Sequence, residues 1–195
     1  MQTVISLLCS TTTTILASTV FAKDHGPKSQ ANGQKQNDSF MTQASNHQES
    51  LFHRHVKNPL LTAADWPYPI NTVFNAGATL LPDGRTLLLC RVEDHRGHSH
   101  LCAARSKSGI DGWEIDSAPT LMPDSENFPE ELWGIEDPRI THLPELGKYA
   151  VVYTAFSAGG PCVSLALTED FRTFERYGDI MSPEDKDAAL LPGDV

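Results

Sequence analysis

An internal echo restricts this chain more than any other feature. Residues 87–91, 101–106 and Trp113 are answered by 150–154, 163–168 and Phe174, at an offset of about 62 residues each time. Both copies read as strand, loop, small-residue strand, turn and aromatic. A repeat of this length carrying about four short strands is the size of one β-propeller blade, a unit that buries its faces only against its neighbours.

The surrounding pattern is consistent with that unit. Apolar and β-branched residues over 72–81 predict a strand, Pro82-Asp83-Gly84-Arg85 a tight turn, and 86–92 the return strand. A loop over 93–99 leads to a strand over 100–106, and Gly109-Ile110-Asp111-Gly112 leads into Trp113. No segment carries a sustained helical period, so the expected class is all-β. A β-sandwich is the alternative architecture. The roughly 140 residues after Asn58 hold about two to three such units, whereas a propeller closes with at least four. The expectation is therefore an incomplete propeller over 51–195, with one apolar face and its strand edges open. Such a 195-residue chain is expected to be inactive and poorly folded by itself.

The first 22 residues end in Ser18-Thr19-Val20-Phe21-Ala22 and resemble a secretory leader, but no Lys or Arg precedes the apolar stretch and 11–14 is a threonine run. A signal and an untargeted N-terminus both fit, which leaves the compartment open: exported if the leader works, cytoplasmic if not. Residues 23–50 are rich in Gln, Asn, Ser, Lys and His and lack the aliphatic side chains needed to offset ordering, so they are expected to be disordered.

A formal charge of −10 argues against nucleic acid as a partner. No run reaches the roughly 20 apolar residues that span a bilayer. The four cysteines form no C-x-x-C pair, and three lie in apolar runs, as small buried hydrophobes do. His95, His98 and His100 sit close together in sequence, where a solvated hairpin tip accounts for them better than a metal site. Neither metal nor cofactor is expected.

Polar residues gather at strand ends. Trp133-Gly134-Ile135-Glu136-Asp137-Pro138-Arg139 offers a carboxylate beside a cation, with Pro138 expected to hold Asp137 extended at a strand start. That arrangement suits a general acid aimed into a central channel with an arginine for an anion; from the residues alone, an ordinary Asp-Pro-Arg turn with a surface ion pair is the simpler reading. Arg91 and Arg105 lie in apolar strands, where arginine is costly unless it is paired or faces a wet channel. Each suits an anion, sugar hydroxyls, or an ion pair between blades with Asp94 or Glu136. Lys186-Asp187, ahead of an apolar run, repeats the pattern.

Six segments in order, Phe74-Asn75-Ala76-Gly77-Ala78, Arg91-Val92-Glu93-Asp94, Ala104-Arg105-Ser106, Gly134-Ile135-Glu136-Asp137-Pro138-Arg139-Ile140, Thr168-Glu169-Asp170-Phe171 and Lys186-Asp187-Ala188-Ala189-Leu190, resemble glycoside hydrolase family 130. The resemblance covers about 58–192. It implies a five-bladed propeller and inverting phosphorolysis of β-mannosides, of the β-1,4-mannosyl-glucose or mannooligosaccharide type, giving α-mannose 1-phosphate. A β-mannosidase of the same family, or a non-catalytic glycan-binding propeller, is the alternative. The resemblance makes Asp137 the catalytic acid, acting through a sugar hydroxyl, and makes Asn75, Arg91, Asp94 and Asp187 substrate contacts. Arg105, Arg139 and Lys186 become phosphate candidates. Phosphate as nucleophile removes the need for the second carboxylate of an inverting hydrolase, a role that Glu93, Asp94 or Glu136 would otherwise fill. The implied partners are a small carbohydrate and phosphate, with homo-oligomer formation left open.

Overall fold

The computed structural model describes residues 5–9, 15–19 and 53–191. Strand β1 (Ile5–Cys9) pairs antiparallel with β2 (Ile15–Thr19) and with β3 (His53–Arg54). The leader read over 1–22 thus contains β1 and β2 and otherwise lies outside the described residues, as does the polar stretch over 23–50.

Two antiparallel meanders follow. The first is β4 (Thr72–Leu80), β5 (Thr86–Glu93), β6 (Ser99–Ser106) and β7 (Glu114–Ile115); the second is β8 (Gly134–Leu143), β9 (Lys148–Ser157), β10 (Gly160–Thr168) and β11 (Glu175–Met181). One parallel contact, Ser99 opposite Gly134, joins them, so a single mixed sheet runs β11-β10-β9-β8-β6-β5-β4 with β7 on β6. The fold is all-β, and the sheet is open rather than closed on itself. Among the described residues the helical elements are short 3-10 turns at Ala63–Asp65, Pro129–Glu131 and Pro144–Leu146.

Local chemistry accounts for the first hairpin. Leu81 N–H donates to Arg85 O (2.8 Å) and Gly84 N–H to Leu81 O (2.9 Å), closing the turn at Pro82-Asp83-Gly84. Asp83 then accepts from both the backbone and the side chain of Arg85.

Strand β5 reads as a continuous apolar run because both of its faces are covered. Strand periodicity sends Leu87 and Leu89 to one side, where with Leu101 and Ala103 they meet Ile135, Tyr149, Val151 and Tyr153 of the second meander. Leu88, Cys90 and Val92 go to the other side, under Leu61, Trp66 and Ile70 from the segment preceding β4. Each fully buried leucine stabilises the fold by about 1.5–3 kcal/mol. Arg91 falls on the Leu87 side, and its position in the alternation is what turns a charged residue toward the second meander.

The structure corrects two of the sequence expectations. His95 is exposed, but His100 is 6% exposed on β6 and its Nε2 lies 2.9 Å from Tyr68 Oη. Burial lowers the imidazole's pKa. Asp137 sits inside β8 and not at a strand start, because β8 begins at Gly134 and passes through Pro138. A register shift between Glu136 and Arg139 makes that passage feasible, since a bulge does not need the N–H that proline lacks. At the bulge Asp137 has φ +51°, so it is left-handed rather than extended. Aspartate is among the few non-glycine residues that take this conformation.

Candidate active site

The first meander carries the same device. Strand β4 has a register shift between Phe74 and Gly77, and Asn75 within it has φ +43°. Asn75 and Asp137 are 62 residues apart, equivalent positions of the internal echo, and the two bulges face each other: Asn75 Nδ2 donates to Asp137 Oδ1 at 2.8 Å. Gly77 permits this approach. A Cβ there would stand 2.8 Å from Pro138 O. Gly134, at φ +128°, allows a similar approach where β8 meets β6, since a Cβ there would stand 2.7 Å from Ser99 N.

Arg91 completes the cluster. Its Nη1 donates to Asp137 Oδ1 at 3.0 Å, its Nη2 lies 2.8 Å from Glu136 Oε1, and its Nε donates to Ser99 Oγ at 2.9 Å. The guanidinium carbon lies 4.4 Å from the centroid of the Phe74 ring, adding a cation–π contact. Side chains of Arg91 and Asp137 are each 14% exposed, which excludes the surface ion pair of an Asp-Pro-Arg turn. Asn75 and Arg91 both donate to Oδ1 of Asp137, so the two donors load one carboxylate oxygen and not the other. Glu136 is half-buried. Burial raises its pKa, with Asp137 and Glu93 adding to the rise and Arg91 and Lys186 opposing it.

The other predicted residues are spread more widely. Arg139 Nη2 lies 3.9 Å from Asp187 Oδ1, and Asp187 is again left-handed, at φ +62°. Lys186, beside it, is exposed and acts electrostatically on Glu136. Asp94 is occupied within the β5–β6 hairpin, accepting from the N–H groups of Arg96 and His98 and from the Arg96 side chain. Burial alone would raise its pKa, but the Arg96 and His98 hydrogen bonds lower it to about 2. Arg105 stands four residues beyond Leu101, the partner of Arg91, about 13 Å along the strand. There it pairs with Asp116 at 2.6 Å. Among the described residues no three His, Cys, Asp or Glu side chains group to hold a metal ion.

Ser99 and Glu131 carry no signal in the sequence. Ser99 is buried and serves Arg91; Glu131 is fully buried, accepting from Tyr153 Oη (2.7 Å), Asp124 N–H (2.8 Å) and Arg176 Nη1 (2.5 Å).

The family model for glycoside hydrolase family 130, described as β-1,4-mannooligosaccharide phosphorylase, matches residues 51–191. The chain belongs to this family. Among its relatives is a β-1,2-mannobiose phosphorylase from Listeria innocua, 36% identical over 94 residues, 48% of this chain and 25% of the relative. A 1,2-β-oligomannan phosphorylase from Thermoanaerobacter is 31% identical over 146 residues, 70% of this chain and 47% of the relative. The solved structure of the Listeria β-1,2-mannobiose phosphorylase with β-1,2-mannobiose superposes with a TM-score of 0.63 at 26% identity, covering 72% of this chain and 54% of that one. The family 130 chain thus spans less than half the length of these curated relatives.

Proposed function

We propose that the two meanders are consecutive blades of a five-bladed propeller that, with all five blades present, phosphorolyses β-mannosides with inversion. The observation that carries the reading is the convergence of Asn75 and Arg91, from the first meander, on one oxygen of Asp137 in the second. An acid held this way by two donors keeps its other oxygen free for a proton.

In the proposed reaction Asp137 passes its proton through a sugar hydroxyl to the glycosidic oxygen as the C1–O bond breaks. Hydrogen phosphate attacks C1 from the opposite face, forming α-mannose 1-phosphate, and the proton on the new phosphate ester returns to Asp137. Asn75 contacts the mannosyl unit. Arg139 and Lys186, beyond the Asp137 bulge, form the cationic approach for phosphate, and Asp187, 3.9 Å from Arg139, contacts the sugar. Arg105 and Asp94, engaged elsewhere, stand outside this constellation. Because relatives bear both β-1,2 and β-1,4 names and the family model bears a β-1,4 name, the linkage is set by testing both.

The test incubates protein carrying all five blades with β-1,2- and β-1,4-mannobiose, with and without phosphate. Release of α-mannose 1-phosphate only with phosphate is the expected result. Mannose release independent of phosphate would replace phosphorolysis with hydrolysis, and no release from either disaccharide would overturn the reading.

A further inference from the structure

We propose that Glu136 is a positioning residue whose charge balances Arg91, so that Asp137 is able to carry the proton it donates. This rests on Asp137 being the acid of the reaction above. The geometry poses the problem directly. An arginine donating to a carboxylate favours the ionised form of that carboxylate, which is the wrong form for an acid.

Charge arithmetic resolves it. Arg91 lies between two carboxylates, 2.8 Å from Glu136 and 3.0 Å from Asp137. With both ionised the trio carries one net negative charge, and a proton on Asp137 Oδ2 leaves a neutral Arg91–Glu136 pair. Without the Glu136 charge the order reverses. Arg91 and an ionised Asp137 would already be neutral, and protonating Asp137 would strand a mostly buried guanidinium. Arg91 has no easy way to swing aside, because Ser99 Oγ holds its Nε at 2.9 Å and Phe74 lies under it.

The remaining charges around Glu136 do not replace it. Glu93, on the Arg91 strand, shares its Oε1 with Asn71 Nδ2 at 2.8 Å. Lys186 from the C-terminal segment offsets Glu93 in its effect on Glu136. Arg139, on the Glu136 strand, lies 3.9 Å from Asp187. Asn75, from β4, is uncharged. The raised pKa of Glu136, caused first by its burial, adds a sign: as pH falls and Glu136 gains its proton, the wild type should converge on a variant that never had the charge.

Glu136→Gln and Glu136→Asp, checked for folding by thermal melt, test this through the pH profile of phosphorolysis. In Glu136→Gln the alkaline limb of kcat should move down by about one pH unit, a loss of about tenfold there. The loss should be markedly smaller on the acidic side, with KM for the mannoside nearly unchanged and Glu136→Asp restoring the limb. A uniform loss at every pH would make Glu136 merely structural and overturn the proposal. A second readout needs no turnover: by carboxyl 13C NMR, the Asp137 titration midpoint should fall in Glu136→Gln, and an unmoved midpoint would also sink the idea. A wild type without phosphate-dependent cleavage would fail the proposed function alone, while the NMR midpoint still decides the role of Glu136.

Discussion

Two carboxylate–arginine clusters lie in and before the second meander, and they are satisfied differently. Glu131, fully buried, has both oxygens engaged: Oε1 by Tyr153, and Oε2 by Asp124 N–H and Arg176. Asp137 receives Asn75 and Arg91 on the same oxygen, Oδ1. Saturated carboxylates serve the fold, since nothing is gained by changing their protonation. A carboxylate loaded on one oxygen is held in place while the other remains available for chemistry. Burial alone does not tell the two apart; the distribution of donors between the two oxygens does.

Substitution should separate them sharply. Asp137→Asn keeps an Oδ1 that accepts from Asn75 and Arg91 but has no acidic proton, so kcat for mannoside cleavage should fall about 10²–10⁴-fold. Its melting curve should stay close to wild type. A variant retaining most activity would end the assignment of Asp137.

Glu131→Gln should do the reverse. Removing one partner of a buried ion pair costs about 3–5 kcal/mol, and Arg176 is left against a neutral amide. Chemical denaturation should show that loss, while the folded fraction keeps the wild-type pH profile. If instead stability holds and the profile moves, Glu131 belongs to the chemistry and the comparison fails.

The smallest effect is expected at Asp94, a carboxylate saturated like Glu131 but partly exposed. Its folded pKa of about 2 lies below the ordinary 3.8. The stabilisation it contributes is therefore present above pH about 4 and lost as pH falls toward 2. Asp94→Asn should lower stability by less than about 1 kcal/mol at neutral pH, and its melting temperature should converge on that of the wild type as pH falls below about 2. A gap that persists there would place the effect elsewhere than in Asp94 ionisation.

Local signals were legible in the sequence where the physics is local. The β4–β5 hairpin follows from its turn residues, and strands 86–92 and 100–106 are within a residue of β5 and β6. Arg91 stood out because a charge in an apolar strand demands a partner, and Glu136, one of the partners considered, is 2.8 Å away. What escaped depends on contacts distant in sequence. Pro138 suggested an extended Asp137, but the bulge, built against β9 and the Asn75 bulge of β4, overrides the local preference. Glu131 lies among Pro and Glu residues of ordinary surface composition, and only the fold brings Arg176, 45 residues later, to its oxygen. Ser99 likewise has no local mark.

The paired bulges separate the backbone site from the side chain it presents. A left-handed non-glycine residue costs roughly 1–2 kcal/mol, and both meanders place it at the same repeat position, once under asparagine and once under aspartate. The strained backbone is thus a socket that exists whichever side chain occupies it. Asparagine and aspartate codons differ by one base, so an asparagine in such a socket is one mutation from a carboxylate already braced and facing a donor in the adjacent copy. The side chain at such an address can be exchanged without rebuilding the fold that presents it.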